Sequence, residues 1–390
     1  MMTKYTLFFS VLNWGCLMAT LGAPLSTAKA QNQSLLLRDS LAPGDTLVGI
    51  DASMHRDSFV LLDTLDLDKS EQPIKKNIFD ALYSEQIRSI RLVTDLQGIL
   101  DNRKTDESVN GHFHYWDEKG NSIKKKVKIQ VRGKTRRKIC DFPPLRLKFK
   151  KKQLKKANLS KRNTLKLVTH CLDGKSGNQN ILKEFLIYKM YNQICDISFR
   201  VQLLNIEYID AKDTSQRFER LGFLIENDEA LAKQKSCKVI ENQFNSSLDS
   251  CDRIQFLNLA LFQYMIGNTD WYVKMLHNIK LMRSLVTNKL IIVPYDFDYS
   301  GFVNTKYAKP NPNLGQTSVK ERIYMGVAES EEDLNLALQA FRNNKDYFFN
   351  QIDQMLLLHE KEKKKCKKYL REFYKTIENP QKVRSAFLQN

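Results

Sequence analysis

Apolar positions along this chain follow two periods. Up to about residue 226 they recur mostly at every second position, and from residue 250 onward they recur mostly at helical spacing. Alternation predicts strands over 87–93, 112–116 and 127–131, the last two joined by a turn around Gly120. In the strand expected over 145–149, Leu145, Leu147 and Phe149 face one side, so Arg146 and Lys148 face the other. Further strands are expected over 164–168, 201–208 and 221–226. Between the first two, Ile181, Leu182, Phe185, Leu186, Ile187, Tyr188, Met190 and Tyr191 predict a largely buried helix over 180–193. An apolar helix over 254–265 runs into Gly267-Asn268-Thr269-Asp270, and a β-branched run at 291–293 leads into Pro294-Tyr295-Asp296-Phe297-Asp298. Helices are expected over 331–358 and 361–377. A strand-rich first half and a helical second half predict the α+β class.

Length and termini add a domain plan. At 390 residues the chain fits a two-lobed domain or two domains. Residues 1–30 show Lys4, an apolar stretch and an Ala28-Lys29-Ala30 ending, the pattern of a cleaved secretory signal. Residues 31–85 form an extension whose strongest strand signal is 59–62. Residues 86–245 are the strand-rich part and 246–390 the helical part. No later apolar run is long enough to span a bilayer, so the expected location is secreted or periplasmic. Beyond the signal stand Cys140, Cys171, Cys195, Cys237, Cys251 and Cys366, an even number suited to disulfides in an exported chain, and Cys237 with Cys251 is the first pair to test. None shows zinc-site spacing.

The formal net charge is +18, and it is concentrated. Residues 121–162 hold eighteen Lys or Arg against one acid, Asp141. A localised positive surface follows, able to face nucleotide phosphates or an acidic or polyanionic partner. Nucleic acid is the less suited partner, because the run has few interleaved aromatics and no recognition-helix pattern. His112 and His114 share one strand face, with no third ligand in view for a metal.

The chemistry centres on carboxylates at the ends of buried elements, which are costly there unless paired, hydrogen-bonded or metal-bound. Asp270 follows the apolar helix, and Asp296 and Asp298 follow the strand at 291–293. Phosphoryl transfer needs one carboxylate at the attacking hydroxyl and another near the phosphates. Glu184 lies on an apolar side of its helix and calls for a cation, Lys148 first, with Arg146 as the alternative.

Taken in order, Arg132-Gly133-Lys134-Thr135-Arg136, Arg146-Leu147-Lys148, Glu184, Gly267-Asn268-Thr269-Asp270 and Pro294-Tyr295-Asp296-Phe297-Asp298 resemble the spore coat protein H (CotH) kinase family, over roughly residues 125–305. The resemblance implies a two-lobed atypical protein kinase-like fold, with a strand-rich N-lobe and a helical C-lobe. It implies ATP with Mg2+ or Mn2+ as cofactors and transfer of the γ-phosphoryl group to a protein hydroxyl. Under it Lys148, with Arg132 and Arg146 beside it, binds phosphates and Glu184 orients Lys148. Asp270 is then the catalytic carboxylate, while Asp296, Asp298 and Asn278 are metal ligands. After Asp270 the chain departs from the family's pattern: Trp271-Tyr272 follow, and the matching amide, Asn278, stands eight positions on. Two functions are therefore expected to compete, an exported kinase acting on a protein substrate and a catalytically inactive scaffold that binds a polyanion or protein partner in the cell envelope.

Overall fold

The computed structural model describes residues 75–241, 248–328 and 330–388, all within the unit Glu71–Asn390. The signal segment and the strand signal at 59–62 lie outside the described residues.

Alternation produces the first structure. Seven strands, β1 (Arg88–Thr94), β2 (Ser108–Trp116), β3 (Ser122–Val131), β4 (Leu145–Phe149), β5 (Thr164–Val168), β6 (Val201–Asp210) and β7 (Arg217–Ile225), close into a barrel in the order β1-β2-β3-β4-β5-β7-β6. Neighbours pair antiparallel except β1 and β6, whose parallel pairing from Arg88↔Leu204 to Thr94↔Asp210 closes the ring. Closure removes the unpaired edges that an open sheet exposes. Inward-facing Leu92, Phe113, Val127, Ile129, Leu145, Leu147, Phe149, Leu165, Leu167, Ile206 and Tyr208 fill the interior. Ile78, Phe79 and Leu82, the last part of the expected extension, are buried in the same core.

Four helices interrupt these strands: α1 (Leu96–Asp101), α2 (Arg136–Ile139), α3 (Lys151–Lys156) and α4 (Lys175–Ile194). The rest of the chain is α5 (Asp228–Gln234), β8 (Cys237–Ile240), α6 (Arg253–Ile266), β9 (Ile279–Ser284), β10 (Leu290–Pro294), α7 (Glu331–Asn343), α8 (Lys345–Gln354), α9 (Glu360–Ile377) and α10 (Pro380–Phe387). β10, β9 and β8 form an antiparallel sheet of their own. A second core joins α4, α6, this sheet and α7 to α9 to Phe223 and Ile225 of β7. The period of β7 explains that link, since Leu224 points into the barrel while its neighbours point at the helices. α6 is apolar on nearly every side, and each fully buried Leu or Phe of this kind contributes about 1.5–3 kcal/mol.

The expected kinase-like architecture is corrected here. The chain does not form a strand-rich N-lobe and a helical C-lobe: its first seven strands are a closed barrel, and a further sheet sits among the helices that follow. Pairing of β1 with β6 is the physical cause, for it joins the ends of the strand series into a ring. The first disulfide guess is corrected as well. Cys140 is bonded to Cys171, whereas Cys237 is a buried thiol donating to the Lys235 carbonyl at 3.2 Å. Among the described residues no helix is long and apolar enough to cross a membrane.

Candidate active site at the Asp270 and Asp296 loops

α6 starts on Asp252, whose carboxylate accepts from the Gln255 N–H, and stops at Gly267, which adopts φ +62°. A Cβ at Gly267 would stand 2.0 Å from the Tyr369 hydroxyl, so the turn there needs glycine for both conformation and space. The next residues are pinned in sequence. Asn268 donates its side-chain N–H to Gln263, and its Oδ1 accepts from the backbone of Asp270 at 3.1 Å.

Asp270 is thereby fixed with its side chain 35% exposed. His277 Nε2 lies 2.8 Å from its Oδ1, and Asn278 Nδ2 donates to its Oδ2 at 2.9 Å and to its backbone carbonyl at 2.8 Å. Asn278 holds φ +52° and Asp296 holds φ +68°, left-handed values uncommon for side-chain-bearing residues. Such conformations cluster where function constrains the backbone.

The second cluster is built on Arg136. Gly133, at φ +88°, turns the chain out of β3, and the short α2 then buries one of its basic side chains. Arg136 Nη2 donates to Glu184 Oε1 at 2.9 Å and to Asp296 Oδ1. Its Nε forms an ion pair with Asp298 Oδ2 at 2.8 Å, off the direction of a hydrogen bond. Tyr307 donates to the same Asp298 oxygen at 2.8 Å. α4 presents Glu184 and Tyr188 one turn apart, and the Tyr188 hydroxyl accepts from the Asp296 N–H at 3.0 Å. Burial works against the Arg136 charge, but the three carboxylates hold its pKa well above the usual arginine value. Burial pushes the Glu184 carboxyl up to about 7 against the pull of Arg136. Asp298 is raised by the same desolvation.

A third group of cations lies alongside. Lys166 of β5 and Lys280 of β9 flank Asp228 at 3.4 and 3.3 Å. Burial lowers the pKa of Lys166, opposed by Asp228 and reinforced by Arg132. Arg132 is lowered by burial too, opposed first by Asp296. Tyr299 feels Asp298, Asp270, Arg136 and Asp296, which ties the first two clusters together.

The structure thus brings together Arg132, Glu184, Asp270, Asn278, Asp296 and Asp298 from the sequence-derived set. Lys148 does not pair with Glu184. It is exposed on the outer barrel wall opposite Lys128, and Arg146 is exposed there as well. Alternation along β4 causes this, because the inward positions belong to Leu145, Leu147 and Phe149. Residues missed from the sequence are Arg136, as the partner of Glu184, together with Lys166, Asp228, Lys280, Tyr188 and Tyr307. Lys166 was legible in principle, as the lone cation of the strand immediately before the Glu184 helix.

The divalent cation implied by the family resemblance does not fit the donor set as folded. Asp298 is 5% exposed in its side chain and its Oδ2 is shared by Arg136 and Tyr307, while the Asn278 amide N–H holds Asp270. Arg136 already meets Asp296 Oδ1 through Nη2 and Asp298 Oδ2 through Nε, the carboxylates that would have to hold such a cation. No group of three or more His, Cys, Asp or Glu among the described residues is arranged around a metal.

No protein-family model matches the chain, and no curated protein is significantly similar to it.

Proposed function

We propose that this chain is an exported phosphotransferase of the CotH kind in its chemistry, moving the γ-phosphoryl group of ATP to a hydroxyl on a protein substrate. One observation carries it: Asp270 is held by two donors with its side chain part-exposed, Tyr299 lies within electrostatic reach of both Asp270 and Asp296, and Arg132 faces Asp296 with Lys166 as its own neighbour. The acceptor hydroxyl gives its proton to Asp270 as its oxygen attacks the γ-phosphorus. The bond from that phosphorus to the bridging oxygen breaks, and ADP leaves with the electron pair. Arg132 and Lys166 face the phosphate charge, and partly desolvated, preorganised cations stabilise it more than water does. The Cys140–Cys171 disulfide supports export, since such bonds persist in oxidising compartments.

One observation favours the competing scaffold without transfer. Arg136 already neutralises the carboxylates that would otherwise be free for a nucleotide-bound cation. A thermal-shift titration with ATP, with and without Mg2+ or Mn2+, separates the two, because a ligand that binds only the native state raises its stability. An ATP-dependent rise that Lys166→Ala or Arg132→Gln abolishes supports a nucleotide site. No rise under any of these conditions overturns the phosphotransferase.

A further inference from the structure

The positive charge of residues 121–162 has a definite place on the barrel. Lys124, Lys126 and Lys128 of β3 all point outward, in register with His114, His112 and Asn110 of β2. Lys128 stands opposite Lys148 of β4, and Arg146 stands opposite Lys166 of β5. Like charges directly across a sheet destabilise it. Yet among the described residues no carboxylate pairs with Lys126, Lys128, Arg146 or Lys148. A cavity of about 950 Å³ opens on this wall, and Lys126, Lys128, Lys148, Lys150, Lys151 and Lys152 line it. Unrelieved repulsion around a concavity marks a surface completed by an external anion. Arg146, as the neighbour of Lys166, continues the cationic wall toward Arg132, which faces Asp296.

We propose that this wall docks an extended acidic segment of the protein substrate and leads it toward Asp270; the inference rests on the phosphotransferase assignment and names its substrate class. Alternate residues of a strand repeat at roughly 6.8 Å, so Lys124, Lys126 and Lys128 match every second side chain of another extended polypeptide. The cavity exposes no Trp, Tyr or Phe ring on which bases could stack, for its one such residue, Phe149, is buried. Val93, Val127, Phe149 and Ala211 line it as well, but none of the exposed large apolar side chains among the described residues does, so it presents no apolar anchor to a lipid surface.

The test uses a fluorescent peptide of alternating Glu and Ser, followed by anisotropy, with the mature protein and its Lys126→Glu/Lys128→Glu variant. Wild type binds, and binding weakens by about tenfold or more as salt rises toward roughly 0.3 M, where surface charges are screened. The variant loses about tenfold or more in affinity, and its KM for transfer to the peptide rises with kcat unchanged. Its ATP-induced thermal shift equals that of wild type. A separate Lys128→Glu variant, which places opposite charges across from each other at Lys148, unfolds no earlier than wild type and still binds the peptide less well, so misfolding does not explain the loss. Peptide binding without any ATP shift supports the docking wall and removes the nucleotide site. An ATP shift without peptide binding, equal affinity in the variant, or tighter binding of a single-stranded oligonucleotide or an anionic vesicle overturns the proposal.

Discussion

Arg136 donates to Glu184 across 2.9 Å, and the Cys140–Cys171 disulfide joins the two segments that carry them. Cys140 caps the end of α2, and Cys171 lies in the loop that starts α4. The covalent bond therefore fixes the approach of the guanidinium to the helix whose carboxylate it meets.

Replacing both cysteines with serine should lower stability by about 3–4 kcal/mol, from the loop entropy of the unfolded chain. The sequence separation of 31 residues sets that scale. Chemical denaturation of oxidised wild type and the double variant checks it. An unchanged midpoint contradicts a stabilising role.

Arg136→Ala should cost about 3–5 kcal/mol, because it leaves buried carboxylates without their cation. It should also create what wild type lacks, stabilisation by Mn2+ in the absence of nucleotide. Thermal unfolding with and without Mn2+ reads both effects. Equal Mn2+ response in the two proteins contradicts Arg136 as the occupant of the cation position.

Glu184 gives a pH dependence with a defined sign. Its carboxyl is raised from an ordinary 4.5 to about 7 by burial, so the folded chain holds the proton over a range where the unfolded chain has released it. This contribution is fully present below the ordinary carboxyl range and is lost as pH rises through about 7. Glu184→Gln should flatten the fall in stability between those limits, measured by urea denaturation across pH. A slope identical to wild type contradicts the assignment.

Gly267→Ala should destabilise by about 1 kcal/mol or more, from the left-handed backbone alone. The 2.0 Å approach of the new Cβ to Tyr369 adds to it. Because the same turn delivers Asp270, the variant should lose transfer activity beyond its loss of stability, checked at a temperature where both proteins stay folded.

Much of the local structure was legible because it rests on short-range periodicity. The strands at 145–149 and 164–168 follow directly from their alternation, and α4 and α6 from their apolar faces. Ring closure was not legible, since the β1–β6 contact joins residues such as Arg91 and Glu207, 116 apart, and leaves no local mark. Nor was β9, whose Ile279–Ser284 sequence carries no clean alternation. Asp270 and Asp296 stood out because each follows a buried element. Arg136 did not, because it sits between other cations in a run that resembles a solvated surface, and only the four-residue α2 turns it inward. Lys148 and Lys166 both occupy outward positions on short strands. What separates them is that β5 adjoins β7, which brings Lys166 to Asp228 at the start of α5, a fact of topology rather than composition.

The most direct measurement is transfer of labelled γ-phosphoryl from ATP to a Glu/Ser peptide or to the protein itself, comparing wild type with Asp270→Asn. Loss of a positioned base reduces rates by about 10²–10⁴-fold. A drop of that size is the prediction for the variant, with the ATP-induced thermal shift retained. Transfer at the wild-type rate by Asp270→Asn, or none by wild type under conditions where ATP binds, contradicts it.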